Sequence, residues 1–537
     1  MPVCLAQGGS TLYTVNLSSG ALTTLTLPTN VSLITSRKPR FATLNQWTAM
    51  VNSPDQNLAI DPEGTVRPLT LRAPLHGPTV AASGTGLTGD YLFRVSFVVL
   101  NNEGELLSES PLGPPSAVFT AANQGLSLTD IPTSLDTISA RRIYRTLAGG
   151  SAYFHVADLN GNVTTALLNS TADTTVTLLP ASPTSLTMAP GGLPAIRLKA
   201  IVEWKSRLWA VADEPSLVDT VYISETNKVY AWPNTIVAFP TGQDEEGIVA
   251  FAPRRNQLGL LKRNGVWQVS GTSSSTGISV SNLSVSQIAV NKAGCVAPDS
   301  VVVINDRAYW LGKDGVYEWS DDGIQNITND AVAPWFKSGT YFNRTRFPNA
   351  FAKYNEVRQT YDLHLANTGD SVENRWVSFY LKTRRWYGPH LTGLFTPSHA
   401  AYLSDADGLP MGLVGGTNGV LYTINSANYR DGAATAIDFD VYTSFYSADA
   451  PDIMHSWLEL SMLSRIETAG TLTVTPFVGG LDAAAGTAIS HSLTTGRERL
   501  RRLGDGRLLQ LRFRENTNNQ RASVFGFEIP FFERGRR

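Results

Sequence analysis

The sequence predicts an all-β chain: a β-propeller of about six blades, interrupted by an inserted β-sandwich and followed by a C-terminal β-sandwich. Three observations predict it. First, one hairpin pattern recurs. An apolar strand ends in Asn-Gly or Asp-Gly, and Val plus a large apolar residue opens the next strand. The copies run from Leu260 to Trp267, from Trp310 to Tyr317 and from Leu413 to Tyr422. Asn264-Gly265, Asp314-Gly315 and Asn418-Gly419 are the dipeptides that supply positive φ in tight hairpin turns. Val266, Val316 and Val420 stand 50 and 104 residues apart, one and two units of a blade-like period of about 50 residues. Second, hydrophobic residues make up 42% of the chain and charged residues only 16%, a mixture that suits many short strands and turns. Third, no segment carries a sustained helical period.

At 537 residues the chain exceeds one core and divides into roughly three or four packing units. A formal net charge of −2 argues against a general nucleic-acid glue. Two cysteines, Cys4 and Cys295, do not make a disulfide-stapled secreted scaffold, although they leave one long-range bridge open. The start, Met1 to Gly9, has neither the basic segment nor the apolar run of a signal peptide, and no stretch reaches the ~18 apolar residues of a membrane span. A soluble protein made in a cytoplasm is expected, one that leaves the cell inside an assembled particle if at all. The seven Asn-x-Ser/Thr sites are read as chance in a Ser/Thr-rich chain.

Along the chain, 1–77 reads as the N-terminal propeller blades. Leu12 to Asn16 precedes a Ser18-Ser19-Gly20 turn, and Trp47 to Val51 and Leu58 to Asp61 flank Ser53-Pro54-Asp55. Thr11 to Asn16 closely resembles Val420 to Asn425, which suggests first and last strands sharing one blade and closing the ring. The inserted unit spans 78–192. In it Tyr91, Phe93, Val95 and Phe97 alternate on one face, and Arg142 to Thr146 and Tyr153 to Ala157 flank a Gly149-Gly150 turn. Its Tyr-x-Phe-x-Val strand and following Gly104-Glu105 to Ser108 turn resemble a fibronectin type III domain, so the insert is expected to be a fibronectin type III-like β-sandwich. Pro180 to Pro194 reads as the exit linker. The remaining blades occupy 193–436. Trp204 to Val211 reads as a strand after a turn, answered by Val221 to Ser224, and later strands follow up to Ile424. The C-terminal β domain, 437–537, holds the long strands Phe439 to Phe445, Trp457 to Met462, Thr471 to Val478, Leu508 to Arg514 and Val524 to Phe532. Its last 41 residues carry 11 arginines against five acids, a balance of +6.

Enzymatic motifs are largely missing: no phosphate-binding Gly-x-x-x-x-Gly-Lys loop, no His-Glu-x-x-His, no Gly-x-Ser-x-Gly elbow. The seven histidines are scattered without metal-ligand spacing; His155 and His364 read as ordinary strand histidines. Ser320-Asp321-Asp322-Gly323 has part of a sialidase Asp box without its aromatic residue. Asp405-Ala406-Asp407-Gly408 has part of a calcium loop without the distal Glu. Asp244-Glu245-Glu246 reads as a solvated loop. Trp204, Trp209, Trp232, Trp267, Trp310 and Trp319 fall where blades pack face to face, so core is preferred over a sugar site. No catalytic, cofactor-binding or metal residues are assigned, and no cofactor. The candidate site residues are Arg499, Arg501, Arg502, Arg512 and Arg514, which contact either a neighbouring subunit or nucleic-acid phosphates. The interface is preferred, because apolar and aromatic residues alternate with the arginines.

The runs Leu208 to Asp213, Val221 to Glu225, Tyr230-Ala231-Trp232-Pro233, Gly315 to Trp319, Ile327-Thr328, Trp335-Phe336 and the Gly535-Arg536-Arg537 terminus together resemble the tail nozzle (tail tube hub) proteins of short-tailed bacteriophages. That resemblance implies a propeller with inserted β-domains and six copies forming the distal tail tube below the adaptor ring. It implies a structural, non-enzymatic virion protein that conducts the genome during ejection. The implied partners are further copies of the chain in a hexamer, the tail adaptor (head-to-tail connector) protein, tail fibres or a tail tip protein, and double-stranded DNA in transit, with no membrane anchor. The implied location is the virion tail, assembled in the host bacterial cytoplasm. The alternatives are a receptor-binding or glycan-processing propeller, expected to show two carboxylates about 5–9 Å apart in a pocket, and a cellular propeller serving as an interaction hub.

Overall fold

The computed structural model describes residues 4–534 except 18, 29–30, 35–36, 54, 102, 164–165, 177–196, 214–216, 231, 233–235, 239–246, 272–282, 291–292, 329–331, 392–394, 405–406, 425–429, 432–434, 437, 449 and 517–521. Gly535-Arg536-Arg537, the Pro180–Pro194 linker, Asp244-Glu245-Glu246 and Asp405-Ala406 therefore lie outside the described residues. The chain is nearly all β, 55% strand and 5% helix, in many small antiparallel sheets. It divides into two compact units, one of Met1–His390, Ser398–Gly415 and Gly419–Leu421, the other of Leu391–Pro397, Gly416–Asn418 and Tyr422–Arg537.

In the first unit, five four-stranded sheets are simple meanders, each strand pairing with the next in sequence. They begin with the strands Arg40–Leu44, Leu198–Trp204, Ile248–Pro253, Val302–Ile304 and Phe351–Asn355. These first strands stand side by side in that order along the series. A three-stranded sheet, Cys4–Gly8, Thr11–Val15 and Leu22–Thr24, precedes them, and another, Pro397–Ser404, Pro410–Gly416 and Leu421–Ile424, follows in the chain.

Alternating residues of one strand serve two cores, because successive side chains of a strand point to opposite faces. In Arg207–Ala212, Leu208, Ala210 and Ala212 pack with Leu44, Val51 and Trp232. Trp209 and Val211 pack on the other face with Trp204, Leu258, Leu260 and Trp267. The same alternation continues down the series. Leu261 and Val266 meet Trp310 and Trp319, and Tyr309 and Leu311 meet Tyr361, Leu363 and Phe379. All six tryptophans named from the sequence are buried, and the indole N–H of Trp209 donates to the Trp204 carbonyl at 3.1 Å.

The recurring hairpins occupy one structural position. Gly265–Gly271, Val316–Ser320 and Leu421–Ile424 are each the third strand of their sheet, so the 50- and 104-residue spacings count sheets. Their turn chemistry differs from expectation. Gly315 and Gly419 have φ of 155° and 78°, but neither Asn264 nor Gly265 has positive φ. Gly265 is needed for a different reason: a Cβ there would come within 2.8 Å of the Trp267 ring and 3.1 Å of the Ala289 carbonyl oxygen. The paired positive-φ turns lie instead between first and second strands, at Asn45-Gln46, Lys205-Ser206 and Asn305-Asp306, none of which contains glycine. Trp204 to Val211 is accordingly not one strand. Trp204 pairs with Arg207 across the Lys205-Ser206 hairpin. The shared closing blade is not formed either: Thr11–Val15 and Leu421–Ile424 belong to separate sheets.

The insert forms two sheets. One has the order Leu106–Glu109, Phe93–Leu100, Ala140–Thr146, Tyr153–Asn160; the other has Leu167–Asn169, Phe119–Thr129, Thr79–Tyr91. Phe93, Val95, Leu126, Leu128 and Ile143 fill the space between them. Buried Glu109 accepts from Ser96 Oγ at 2.5 Å and Tyr144 Oη at 2.6 Å and pairs with Arg142 at 3.4 Å, so its charge is met from several sides. Both cysteines are free thiols, which rules out a bridge between them.

The second unit holds two antiparallel sheets that share one core. One sheet runs Phe439–Tyr442, Leu508–Glu515, Thr471–Gly479, Ile489–Ser492. The other runs Arg497–Gly506, His455–Ser464, Val524–Glu528, with Phe531–Glu533 also paired to His455–Ser464. Leu460, Met462, Leu472, Val474, Leu509 and Leu511 form its core. Arg497–Gly506 is a strand that the arginine-rich composition concealed.

Candidate functional sites

Two constellations bring charged groups together. The first lies among the side-by-side first strands. Lys38 and Arg40 flank Pro39 where the chain enters Arg40–Leu44, and an extended backbone sends i and i+2 to one side. Both reach Asp299, Arg40 Nη2 to Oδ1 at 3.2 Å and Lys38 Nζ to Oδ2 at 3.7 Å. Arg40 also donates to the Val249 carbonyl at 3.5 Å, and Lys38 to the Asn349 carbonyl at 3.4 Å. The Lys38 ammonium lies 4.6 Å from the centre of the Phe351 ring. Two sheets, and the turn that leads into a third, are thus tied to the first by two side chains. Burial pushes the Asp299 carboxyl up, but Arg40, His399 and Lys38 outweigh it and hold it below the ordinary carboxylate range. Burial lowers the Lys38 ammonium despite the Asp299 charge.

Beside this cluster, register places Phe351 opposite His364 and His364 opposite Trp376. The Phe351 and His364 rings stack at 4.5 Å and 9°, and His364 and Trp376 at 5.9 Å and 27°. His364 is buried, and neither ring nitrogen has a hydrogen-bond partner among the described residues. Burial, then Lys353, His399 and Lys38, holds its pKa well below the ordinary imidazole value, so it packs as a neutral ring. Sequence reading named His364 as a strand histidine but missed Lys38, Arg40 and Asp299. The available signal was a basic run, Arg37-Lys38-Pro39-Arg40, opening a strand.

The second constellation is the set of arginines named from the sequence, which the structure separates into two sheets. Arg499, Arg501 and Arg502 lie on Arg497–Gly506, an edge strand, and all three are exposed. Arg499 stands opposite Ser461 and Arg502 opposite Glu459. Arg502 Nη2 donates to Asp505 Oδ1 at 2.6 Å. Arg499 and Arg501 form no ion pair among the described residues. Arg512 and Arg514 lie on Leu508–Glu515 in the other sheet, where they are already paired. Arg512 holds Asp440 through two contacts, at 2.8 and 2.5 Å, and Arg514 meets Asp438 at 3.3 Å. The hydrogen bond from Arg512 lowers the Asp440 carboxyl. The five arginines therefore do not form one patch, and two of them serve their own sheet.

The acidic pair of Ser320-Asp321-Asp322-Gly323 sits in a hairpin turn, with Asp321 accepting from Arg254 at 2.5 Å. Among the described residues no group of three His, Cys, Asp or Glu could hold a metal ion, and no helix is long and apolar enough to cross a membrane.

No family model matches the chain, and no curated protein matches it. Solved structures that resemble it include an exo-β-1,3-galactanase of Phanerochaete chrysosporium with galactotriose bound, at 10% identity and a TM-score of 0.21, over 82% of this chain and 100% of that one. PorZ, a surface component of the type-IX secretion system of Porphyromonas gingivalis, matches at 10% identity and 0.27, over 99% and 75%. A fungal alcohol oxidase of the AA5 family in complex with copper matches at 9% identity and 0.28, over 86% and 98%. At these TM-scores the likenesses carry no argument about what this chain does.

Proposed function

We propose that the sheets of the first unit are the blades of a β-propeller, about six in number, and that the chain is a structural virion protein of the tail nozzle of a short-tailed bacteriophage. In this reading several copies, six by the resemblance, form the distal tail tube below the adaptor ring and conduct double-stranded DNA outward. The insert is a fibronectin type III-like sandwich within that scaffold.

The observation that carries the reading is the cluster around Asp299. The first strands of successive sheets adjoin, and the groups among them are mutually engaged: Arg40 and Lys38 on Asp299, Lys38 on Phe351. A centre filled this way ties sheets together and stiffens a frame, as a conduit under genome pressure requires. A catalytic pocket would instead present an acid or base to a ligand.

Cryo-electron microscopy of the purified protein, with phage particles as reference, tests the reading. Ring-shaped class averages with an open axial channel that fit the distal tail density are expected. A monomeric disc that never associates with particles would overturn it and would turn attention to glycan binding.

A further inference from the structure

Buried cations in this chain are engaged, with one exception among the described residues. Arg145 pairs with Asp173 at 2.8 Å, Arg254 with Asp321 at 2.5 Å and Lys262 with Asp219 at 2.5 Å. Arg141 donates to the Ile131 carbonyl at 3.5 Å. Lys353 is only 7% exposed, yet its ammonium forms neither an ion pair nor a hydrogen bond among the described residues. An unpaired buried charge is costly, so its surroundings decide what the group does. The strand Phe351–Asn355 has two unlike faces. Ala352 packs with Tyr361, Leu363, Val377 and Phe379 in an apolar core. Register puts Phe351, Lys353 and Asn355 on the other face, opposite His364, Asp362 and Thr360, with Trp376 and Ser378 one strand further on. The strand Pro397–Ser404 lies against that face. Its His399 ring stands 5.6 Å from the Phe351 ring, and Tyr402 Oη donates to Asn355 Oδ1 at 2.9 Å. Asp362 is directly opposite Lys353 but is engaged elsewhere. Ser378 Oγ donates to its Oδ1 at 2.6 Å, and Asn355 Nδ2 to its Oδ2 at 3.5 Å. Burial keeps His364, His399 and His390 below the ordinary imidazole value, so these rings are neutral neighbours. Burial also pushes the Lys353 ammonium down to about 8, against the pull of Asp362 and with help from Arg358.

We infer that Lys353 is a covalent binding site for a small neutral aldehyde, which it holds as an imine. A desolvated lysine without a partner is the form of this side chain that reacts with carbonyl groups, because its nitrogen lone pair is free of both proton and acceptor. The neighbours choose the class of ligand. Asp362 across the strand pair disfavours an anionic carbonyl compound, and a neutral amine offers such an anion no cation. The Phe351 and Trp376 rings and the uncharged imidazoles suit a neutral, largely apolar molecule. The small exposure of Lys353 sets the size, since a bulky carbonyl compound does not reach a residue so covered. In the reaction the Nζ lone pair attacks the carbonyl carbon, a C–N bond forms and the carbonyl π pair moves to oxygen. A proton passes from nitrogen to that oxygen through water, which gives a carbinolamine. The hydroxyl then leaves as water with the second nitrogen proton, and the C=N bond forms. One amine and one aldehyde give one imine and one water, with no oxidant or reductant.

The test needs only the full-length parent protein. It is incubated at pH 7.5 with acetaldehyde and sodium cyanoborohydride, which reduces an imine to a stable ethylamine, and peptide mass spectrometry follows the ethylation of each lysine over time. Lys228 and Lys382 are exposed and serve as internal standards. Lys353 should be ethylated at least about tenfold faster than either, since lowering an amine's pKa by two units frees far more of it at this pH. The same reaction in urea, where the fold is lost, should bring the three rates together. Lys353→Met should lose the fast site and leave ethylation of Lys228 and Lys382 unchanged, with circular dichroism checking that the variant folds. Ethylation of Lys353 in the native parent no faster than that of Lys228 or Lys382 overturns the inference. So does a Lys353 preference that survives in urea, because it then owes nothing to the packing of Phe351–Asn355.

Discussion

Asp299 Oδ1 accepts from Arg40 Nη2 at 3.2 Å across 259 positions of sequence. The pair joins the first strand of one sheet to the turn that leads into another, and Lys38 adds a second cation to the same carboxylate. Asp299 thus answers two cations at one partly buried place.

Removing that anion leaves two cations facing each other. Asp299→Asn should lower stability by about 1.5–3 kcal/mol, the range for hydrogen bonds to charged groups, read as a lower urea midpoint with an unchanged slope. The triple change Lys38→Met, Arg40→Met and Asp299→Leu removes all three charges. It should recover much of the loss, since apolar replacement of such a pair is often near neutral.

His364 sets a pH dependence. Its pKa is held well below 6.5 in the fold, so as pH falls through 6.5 the unfolded chain takes up a proton that the folded chain refuses. The unfolded state then binds more protons, and stability falls on acidification. The groups nearest the ring, Phe351, Trp376, Lys353, Lys38 and His399, offer it no anionic partner. Thermal melts from pH 7.5 to 5 should show a falling midpoint, and His364→Phe should reduce that slope, the remainder belonging to His399 and His390, which burial also holds below the ordinary imidazole value.

Trp209 is fully buried between two sheets. Trp209→Ala should cost about 3–5 kcal/mol, whereas Trp209→Phe should cost less, because the ring still fills most of the volume. Calorimetric unfolding of the two variants checks the order.

Gly315 combines φ of 155° with crowding, since a Cβ there would lie within 3.0 Å of the Thr328 Cβ. Gly315→Ala should destabilise by about 1–3 kcal/mol, the usual cost of overpacking. Thermal melts of the variant against the parent measure the loss.

Charge reversal at Arg499 and Arg501 should leave the melting midpoint of the monomer, measured at a dilution where no assembly occurs, unchanged, because both side chains are exposed and surface substitutions away from buried features have small effects. Any effect of that variant belongs to assembly, and comparing melts with light scattering separates the two.

The sequence by itself determined the strand content, the placement of the six tryptophans in cores and the recurrence of one hairpin at the third strand of its sheet. These are local properties. A period of two in apolar residues, and Gly beside Asn or Asp, act within a few residues and need no distant partner. Only the tertiary structure decided the rest. Lys205-Ser206 carries no turn signature, yet both residues take positive φ, at a cost of roughly 1–2 kcal/mol each that burial of Trp204, Leu208 and Trp209 on the flanking strands offsets. Thr11–Val15 and Leu421–Ile424 look alike but join different sheets, since backbone pairing is set by register and neighbours rather than by likeness of side chains. The arginines, close together in sequence, fall on Arg497–Gly506 and Leu508–Glu515 in opposite sheets, because the intervening turn carries the chain from one layer to the other. Arg512 and Arg514 meet Asp440 and Asp438 only there. Asp299 met Arg40 for the same reason: a contact across 259 positions exists only once the intervening sheets have packed in order.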